Sequence, residues 1–465
     1  MPYRNKIIII FCCAILLRLI FSIGLFATDQ PLFSLKGDAE SYIQTAKNFI
    51  EKGVWSANPG DNPRPDNVRT PVYPLFLMFF LGFGIPLVYA AIIQDILMAI
   101  SAVLIYVLGR RLFSEKVAFF AGLVFALEPY LASTFVSRAI MTEVFAVFLL
   151  ILSFLNLALY IKEKNNKNLI AGSVFLALSA LTKPQFFFFF IFIFIAVILA
   201  GKMRLKPLFF ACAVFLLLIS PWLFYNFFIL KTIQFSSVPG LSLYVAADFF
   251  QQWENKDDYL KVYEYPIEKA KRMLGVSAEE LFEPENAKKL SNIGKEIIVA
   301  RPFSFAYYQL IHIPRLFWHE TTIETIAQDF NISQNAKQGE MDINVIKNVL
   351  HGRFNDAFKN LSNHPIWIVS LFLKIAVLLL GLLALLNFFL RWILGKEISR
   401  VSLFLLLIIV LYAVMMSPFG QQRYRVPIEP FILILAFDSI GLIFYYLRGW
   451  IRDFRANIPC SQRLG

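Results

Sequence analysis

Six apolar runs, at 7–27, 90–108, 144–160, 208–230, 366–390 and 428–447, are each close to the ~20 residues a helix needs to cross a bilayer. Backbone polar groups in lipid must be paired within their own segment or in a closed barrel, so helices are expected at these positions. Composition agrees: 58% of the 465 residues are hydrophobic, 16% are charged and the mean hydropathy is +0.63, which excludes a soluble globule of this length. The expected fold class is therefore an all-α polytopic membrane protein. The first run has no small-residue cleavage site after it and is read as a retained membrane helix rather than a signal peptide.

Charge orients the chain, because short cytoplasmic loops are rich in lysine and arginine. Arg4 and Lys6 put the N-terminus inside. The loops with Arg110, Arg111 and Lys116, with Lys162, Lys164 and Lys167, with Lys202, Arg204 and Lys206, and with Arg391, Lys396 and Arg400 then fall on the same side, as does the tail with Arg448, Arg452 and Arg455. This holds if 72–83 is a short helix lying at the outer interface, and about ten crossings follow, at 7–27, 86–108, 117–135, 142–160, 168–182, 184–201, 207–230, 366–390, 401–418 and 427–447.

Two large segments are left outside, 28–70 and 231–365. The chain divides accordingly into a membrane module at 1–230 that includes the outer loop 28–70, an extracytoplasmic helical region at 231–365, and C-terminal membrane helices with a cytoplasmic tail at 366–465. The second outer segment has helical charge patterning at 264–274 and 278–298 and an amphipathic stretch at 302–318 suited to an interface. The phenylalanine runs are read as lipid-facing. The net charge of +12 is largely accounted for by topology, so anionic membrane lipid rather than nucleic acid is the expected partner of the basic face. Cys12, Cys13 and Cys212 lie in apolar runs and Cys460 in the tail, with no disulfide or metal-ligand spacing.

The outer ends of the spans collect the polar chemistry. Asp38 and Glu40 precede a helical pattern (Tyr42, Ala46, Phe49, Ile50) closed by Gly53, and Asp38 read structurally is a helix cap. Arg69 precedes Pro71 and Pro74, and alone it reads as a headgroup anchor. Arg138 and Glu143 stand at the mouth between the third and fourth spans, where Thr142 and Glu143 could equally cap a helix. Lys183 sits in Leu181-Thr182-Lys183-Pro184-Gln185, a proline-broken outer turn, and Arg423 and Arg425 flank Tyr424 between the last two spans, where the positive-inside rule disfavours arginine. An arginine fork and a lysine point charge both suit phosphate, so Arg69, Lys183, Arg423 and Arg425 together would make an outward phosphate site beside outward carboxylates.

The order of these features resembles the GT-C superfamily of integral-membrane glycosyltransferases, and within it the bacterial branch related to protein O-mannosyltransferases and the lipid A aminoarabinose transferase. The resemblance rests on Gly37-Asp38 with Tyr42 and the run to Gly53, on Arg69-Thr70-Pro71-Val72-Tyr73-Pro74-Leu75, on Thr142-Glu143, on Leu181-Thr182-Lys183-Pro184, and on Arg423-Tyr424-Arg425-Val426-Pro427 with Pro430. It implies an inverting transfer of a sugar from a polyprenyl-phosphate donor to an acceptor hydroxyl on an envelope glycolipid, a polysaccharide or a protein, at the outer face of the bacterial cytoplasmic (inner) membrane. It also implies Asp38 as the catalytic acidic residue, Glu143 as a second acidic position, and Arg69 and Lys183 as contacts to the donor phosphate. Tyr42, Tyr73 and Arg138 are candidates for the acceptor or the sugar.

The family's paired acidic dipeptide is here Asp38-Ala39, which leaves open whether Glu40 takes the second role. No cofactor is expected; His312, His319, His351 and His364 show no ligand spacing, and dependence on a divalent metal is left open. The alternative from another class is a transporter or lipid flippase, which should bury ionisable residues in broken helices within repeated halves. A non-catalytic scaffold would give the outward cationic cluster no purpose.

Overall fold

The computed structural model describes residues 1–28, 30–35, 38–133, 136–201, 205–254, 265–318, 322, 326, 365–397 and 399–456, without the side chains of 318, 365–367 and 449–456. Gly37, Lys202, Arg204, His319, His351, His364 and Cys460, and the start of the pattern at 264, lie outside the described residues. Among the described residues the protein is helical, with a single isolated bridge between Ser34 and Ala139.

The first half consists of α1 (Tyr3–Ala27), α2 (Ala39–Lys52), α3 (Val72–Gly82), α4 (Val88–Leu112), α5 (Glu115–Ala126), α6 (Glu143–Glu163), α7 (Asn166–Ala180), α8 (Ile191–Leu199) and α9 (Leu205–Phe228). Then come α10 (Val238–Glu254), α11 (Pro266–Leu274), α12 (Pro284–Ala300) and α13 (Pro302–Trp318), followed by α14 (Pro365–Ile393), α15 (Arg400–Met416), the short α16 (Gln422–Arg425) and α17 (Glu429–Ala456). Among the described residues six helices are long and apolar enough to cross a membrane. The expected crossings at 168–182, 184–201 and 401–418 are shorter helices.

One expected crossing is corrected. The segment 117–135 is not a single helix: α5 stops at Ala126, after about 18 Å at ~1.5 Å per residue. Pro129 then opens a short 3-10 turn, whose first free amide, on Tyr130, is held by the Glu128 carboxylate at 3.4 Å. Pro129 lacks an amide hydrogen and disfavours helix at the residue before it, which accounts for the stop. The chain between α5 and α6 is largely buried, and it carries Ser137 and Arg138.

The phenylalanine runs are not simply lipid-facing either. Pro184–Phe190 is a 3-10 helix. At three residues per turn, residues spaced by three share a face. Phe186 and Phe189 are buried, as is Phe192 just beyond, while Phe188 is 60% exposed. That face meets Phe154 of α6, which Phe404 and Phe431 also contact from the last two long helices, at ring separations of 5.2 to 6.3 Å. Aromatic rings thus join the two halves of the bundle.

The basic loops gather at one end. Lys6 pairs with Glu115 at 3.0 Å, Arg111 with Glu163 at 2.8 Å, and Arg110 lies over the Tyr3 ring. At the opposite end the loop after α2 packs against the chain that follows α9. The Asn67 carboxamide accepts from the Ser237 amide at 3.1 Å, Tyr225 donates to the Trp55 carbonyl at 3.1 Å, and Arg64 approaches Glu283 at 3.7 Å. Since these segments touch, labels at exposed Asn62 and Ser277 should report the same side of intact membranes, opposite to a label at Lys116. Reactivity of Asn62 and Ser277 from opposite sides would contradict this packing.

Candidate active site

Asp38 occupies the position before α2, but its side chain does not cap the helix. The carboxylate turns to Arg69, 31 residues on, which donates to Oδ1 at 2.9 Å. Arg69 is held from three sides: its Nε donates to Ser41 Oγ at 2.7 Å, its other terminal nitrogen donates to the Tyr42 hydroxyl at 3.2 Å, and its guanidinium lies over the Tyr42 ring at 4.3 Å. Ser41 and Tyr42 are presented by the first turn of α2, while the stiff Arg69-Thr70-Pro71 segment sets where α3 starts.

Arg423 arrives from the other end of the chain. One of its terminal nitrogens is 3.6 Å from Asp38 Oδ2, and another donates to the Tyr424 hydroxyl at 2.9 Å. Lys183 stands in the turn after α7 with its ammonium bonded to Glu143 at 3.0 Å and 5.9 Å from the Tyr424 ring centre. Four segments spread over more than 380 residues of the chain, from Asp38 to Arg423, thus meet in one cluster.

Burial pushes the Asp38 pKa up, but the charges of Arg69, Arg423 and Lys183 pull it down further, and the carboxyl lies below its ordinary range. Arg69 and Arg423 are half-buried, and although partial burial works against their charge, their anionic and tyrosine neighbours hold both above the usual guanidinium value. Asp38 is therefore ionised at neutral pH. Its side chain is 44% exposed, so a reactant can reach it.

Glu143 is different. It is almost fully buried, its Oε1 accepts from Lys183, and its Oε2 has no hydrogen-bond partner among the described residues. Neither Thr142 nor Glu143 caps α6 through its side chain. Tyr73 lies fully buried beneath Tyr42, with ring centres 5.1 Å apart, and its hydroxyl donates to Gln94 at 2.6 Å. It supports the site from below rather than facing it.

Three further candidates do not join the cluster. Glu40 is exposed on the first turn of α2 and takes part in none of these contacts. Arg425 is buried and sits 3.7 Å from Glu429. Arg138 turns into the bundle toward Asp95, 3.0 Å away.

Arg18 and Asp95 were not singled out from the sequence, although each is a lone charge within an apolar run, the signal that ordinarily points to an intramembrane ion pair. Among the described residues no group of three His, Cys, Asp or Glu side chains is placed to hold a metal ion.

With this geometry in hand, comparison with known proteins is informative. Residues 66–225 match the family of dolichyl-phosphate-mannose-protein mannosyltransferases. That span includes Arg69, Glu143 and Lys183 but begins after Asp38. No curated protein matches the chain.

Among solved structures, the apo oligosaccharyltransferase of Archaeoglobus fulgidus aligns over 97% of this chain and 52% of its own, at 14% identity and a TM-score of 0.50. The same archaeon's oligosaccharyltransferase with zinc and sulfate gives 13% identity, 98% and 52% coverage, and a TM-score of 0.49. Its oligosaccharyltransferase AglB in complex with an inhibitory peptide and a dolichol-phosphate gives 14% identity, 97% and 52% coverage, and a TM-score of 0.46. The chain spans about half the length of these structures. At such identity the likeness is one of fold, and that fold is GT-C-like. The family match, over about a third of the chain, and the fold agree with the fold class that the motifs led us to expect.

Proposed function

We propose that this GT-C-type membrane protein is an inverting glycosyltransferase that moves a sugar from a polyprenyl-phosphate donor to an acceptor hydroxyl at the outer face of a bacterial cytoplasmic membrane. One observation carries the reading: a reachable, ionised carboxylate, Asp38, is flanked by Arg69 and Arg423 with Lys183 beside them. A donor of this kind keeps its tail in the bilayer and its phosphate at the interface, where those cations stand.

In the proposed step the acceptor oxygen attacks the anomeric carbon as Asp38 takes its proton. The bond from that carbon to the phosphate oxygen breaks, its electron pair leaves with the polyprenyl phosphate, and a single displacement inverts the centre. The leaving phosphate gains one negative charge, and Arg69, Arg423 and Lys183 stabilise it in a partly water-excluded site, where such interactions are strong. Counting Asp38 and Glu143 against the three cations leaves the resting site at +1, which complements the single charge of a phosphodiester donor.

A carboxylate held low by arginines is a weak base. The donor phosphate draws on the same guanidinium groups, which weakens their pull on Asp38 and raises its proton affinity as the donor binds. Lys183 is shared in the same way between Glu143 and phosphate. The family match to mannosyltransferases that use a lipid-phosphate sugar supports this donor class, and protein is one acceptor class it brings forward.

The test is the stereochemistry of the product. Purified protein given a polyprenyl-phosphate sugar of known anomeric configuration should release polyprenyl phosphate and yield a glycoside of opposite configuration. Retention of configuration would overturn the single-displacement reading.

A further inference from the structure

We propose that Arg138, with its counter-ion Asp95, is a positioning residue that clasps the two outer loops carrying Asp38 and Glu143 to the membrane bundle. The proposal rests on the transferase reading above.

The Arg138 guanidinium bonds three elements at once. One nitrogen donates to the Leu32 carbonyl at 3.0 Å. The other donates to the Arg18 carbonyl at 3.2 Å, to the Ser22 hydroxyl, and to Asp95 Oδ2 at 3.0 Å. Leu32 lies six residues before Asp38, Arg18 and Ser22 are on α1, and Asp95 is on α4.

The backbone adds to the clasp. Ser34 donates its amide to the Arg138 carbonyl at 2.8 Å, and Ile140 donates back to the Ser34 carbonyl at 3.1 Å. Asp95 Oδ1 accepts from Ser137 at 2.6 Å and lies 3.6 Å from Arg18 Nε. The neighbouring Gln94 donates to the carbonyls of Ser137 and Ala139 at 2.9 and 2.7 Å while accepting from Tyr73, which packs under Tyr42.

Two consecutive α4 side chains therefore grip the strand-like segment 137–139 from below, and Arg138 passes that grip on to 32–34. The helix that Asp38 immediately precedes and the helix that Glu143 opens begin four to five residues beyond these anchor points. Arg18, Asp95 and Arg138 are all nearly inaccessible, so reactants do not reach them and their influence is exerted through the loops. Transfer by a positioned base tolerates little misplacement; an error of ~1 Å costs about a hundredfold.

Arg138→Lys tests this, because lysine keeps the buried positive charge but cannot fork to Leu32, Ser22 and Asp95 together. Donor binding through Lys183 and Arg423 should stay within about twofold of wild type, while kcat should fall by about tenfold to a hundredfold. The acid limb of the kcat/KM profile should also move to higher pH, since a loosened Asp38 sits less firmly against Arg69, Arg423 and Lys183 and regains part of its ordinary pKa. A variant whose kcat falls only with the folded fraction, at an unmoved acid limb, would make the clasp merely structural and overturn the proposal.

If Arg138→Lys does not accumulate as folded protein, Ser137→Ala removes one tether without stranding a charge, and its acid limb should move the same way; an unmoved limb there overturns the proposal too. Asp38→Asn in the same assay separates the two ideas. Full activity in that variant overturns the base assignment itself, whereas an inactive Asp38→Asn beside a wild-type Arg138→Lys overturns only the clasp.

Discussion

Asp38→Asn is expected to lower transfer by about a hundredfold or more while leaving expression, thermal stability and donor binding near wild type. Asparagine is nearly isosteric and caps a helix about as well as aspartate, but its neutral amide cannot accept the acceptor's proton. The structure sharpens this expectation, because Asp38 provides no side-chain cap whose loss could confuse the result. Its carboxylate is spent on Arg69 and Arg423 instead.

The pH dependence has a defined sign. Asp38 has its pKa depressed in the folded protein, so the base form is present above that pKa and is lost as pH falls through it. The acid limb of kcat/KM for the free enzyme should therefore lie below the ordinary carboxylate range, and it should be absent from whatever activity Asp38→Asn retains. Near-normal turnover in Asp38→Asn would transfer the proposal to Glu40 or Glu143.

The second large effect belongs to the cations. Arg69→Gln and Lys183→Met should each weaken donor binding or slow transfer by roughly ten- to a hundredfold, given ~1.5 to 3 kcal/mol for a charge-assisted contact to phosphate. The two should differ in their side effects. Arg69→Gln also frees Asp38, so its acid limb should rise. Lys183→Met strands the buried Glu143 carboxylate and should cost folding stability. The double variant Lys183→Met with Glu143→Gln should regain that stability without regaining transfer. Wild-type donor affinity and turnover in both single variants would reduce Arg69 and Lys183 to headgroup anchors.

Much of this site was legible in the order of the chain. Arg69, Lys183 and Arg423 stand where cations are costly to keep unless an anion is near, and the structure brings them together with the carboxylate of Asp38. Which of them pair was not legible. Glu143 and Lys183 are 40 residues apart, and nothing in their local sequence says that α6 and the turn after α7 meet there.

Arg425 and Arg423 look equivalent in sequence, but their two-residue spacing is about half a helical turn, which sends the first against Glu429 and the second toward Asp38. Arg138 had the composition of a ligand contact and the geometry of a brace, because α5 ends early at Ala126, ahead of Glu128-Pro129, and lets the following chain fold inward onto α4. The apolar runs themselves gave helix positions well, and failed where proline imposed a three-residue period on 184–190 or stopped α5.

In the proposed reaction the Asp38 cluster breaks a sugar–phosphate bond. Purified protein in lipid, incubated with a panel of polyprenyl-phosphate sugars and candidate hydroxyl acceptors, should consume one donor and release polyprenyl phosphate together with a glycosylated product, and Asp38→Asn should not. Movement of the intact lipid across the bilayer with no donor cleaved, equally in wild type and Asp38→Asn, would contradict the account and identify a transporter.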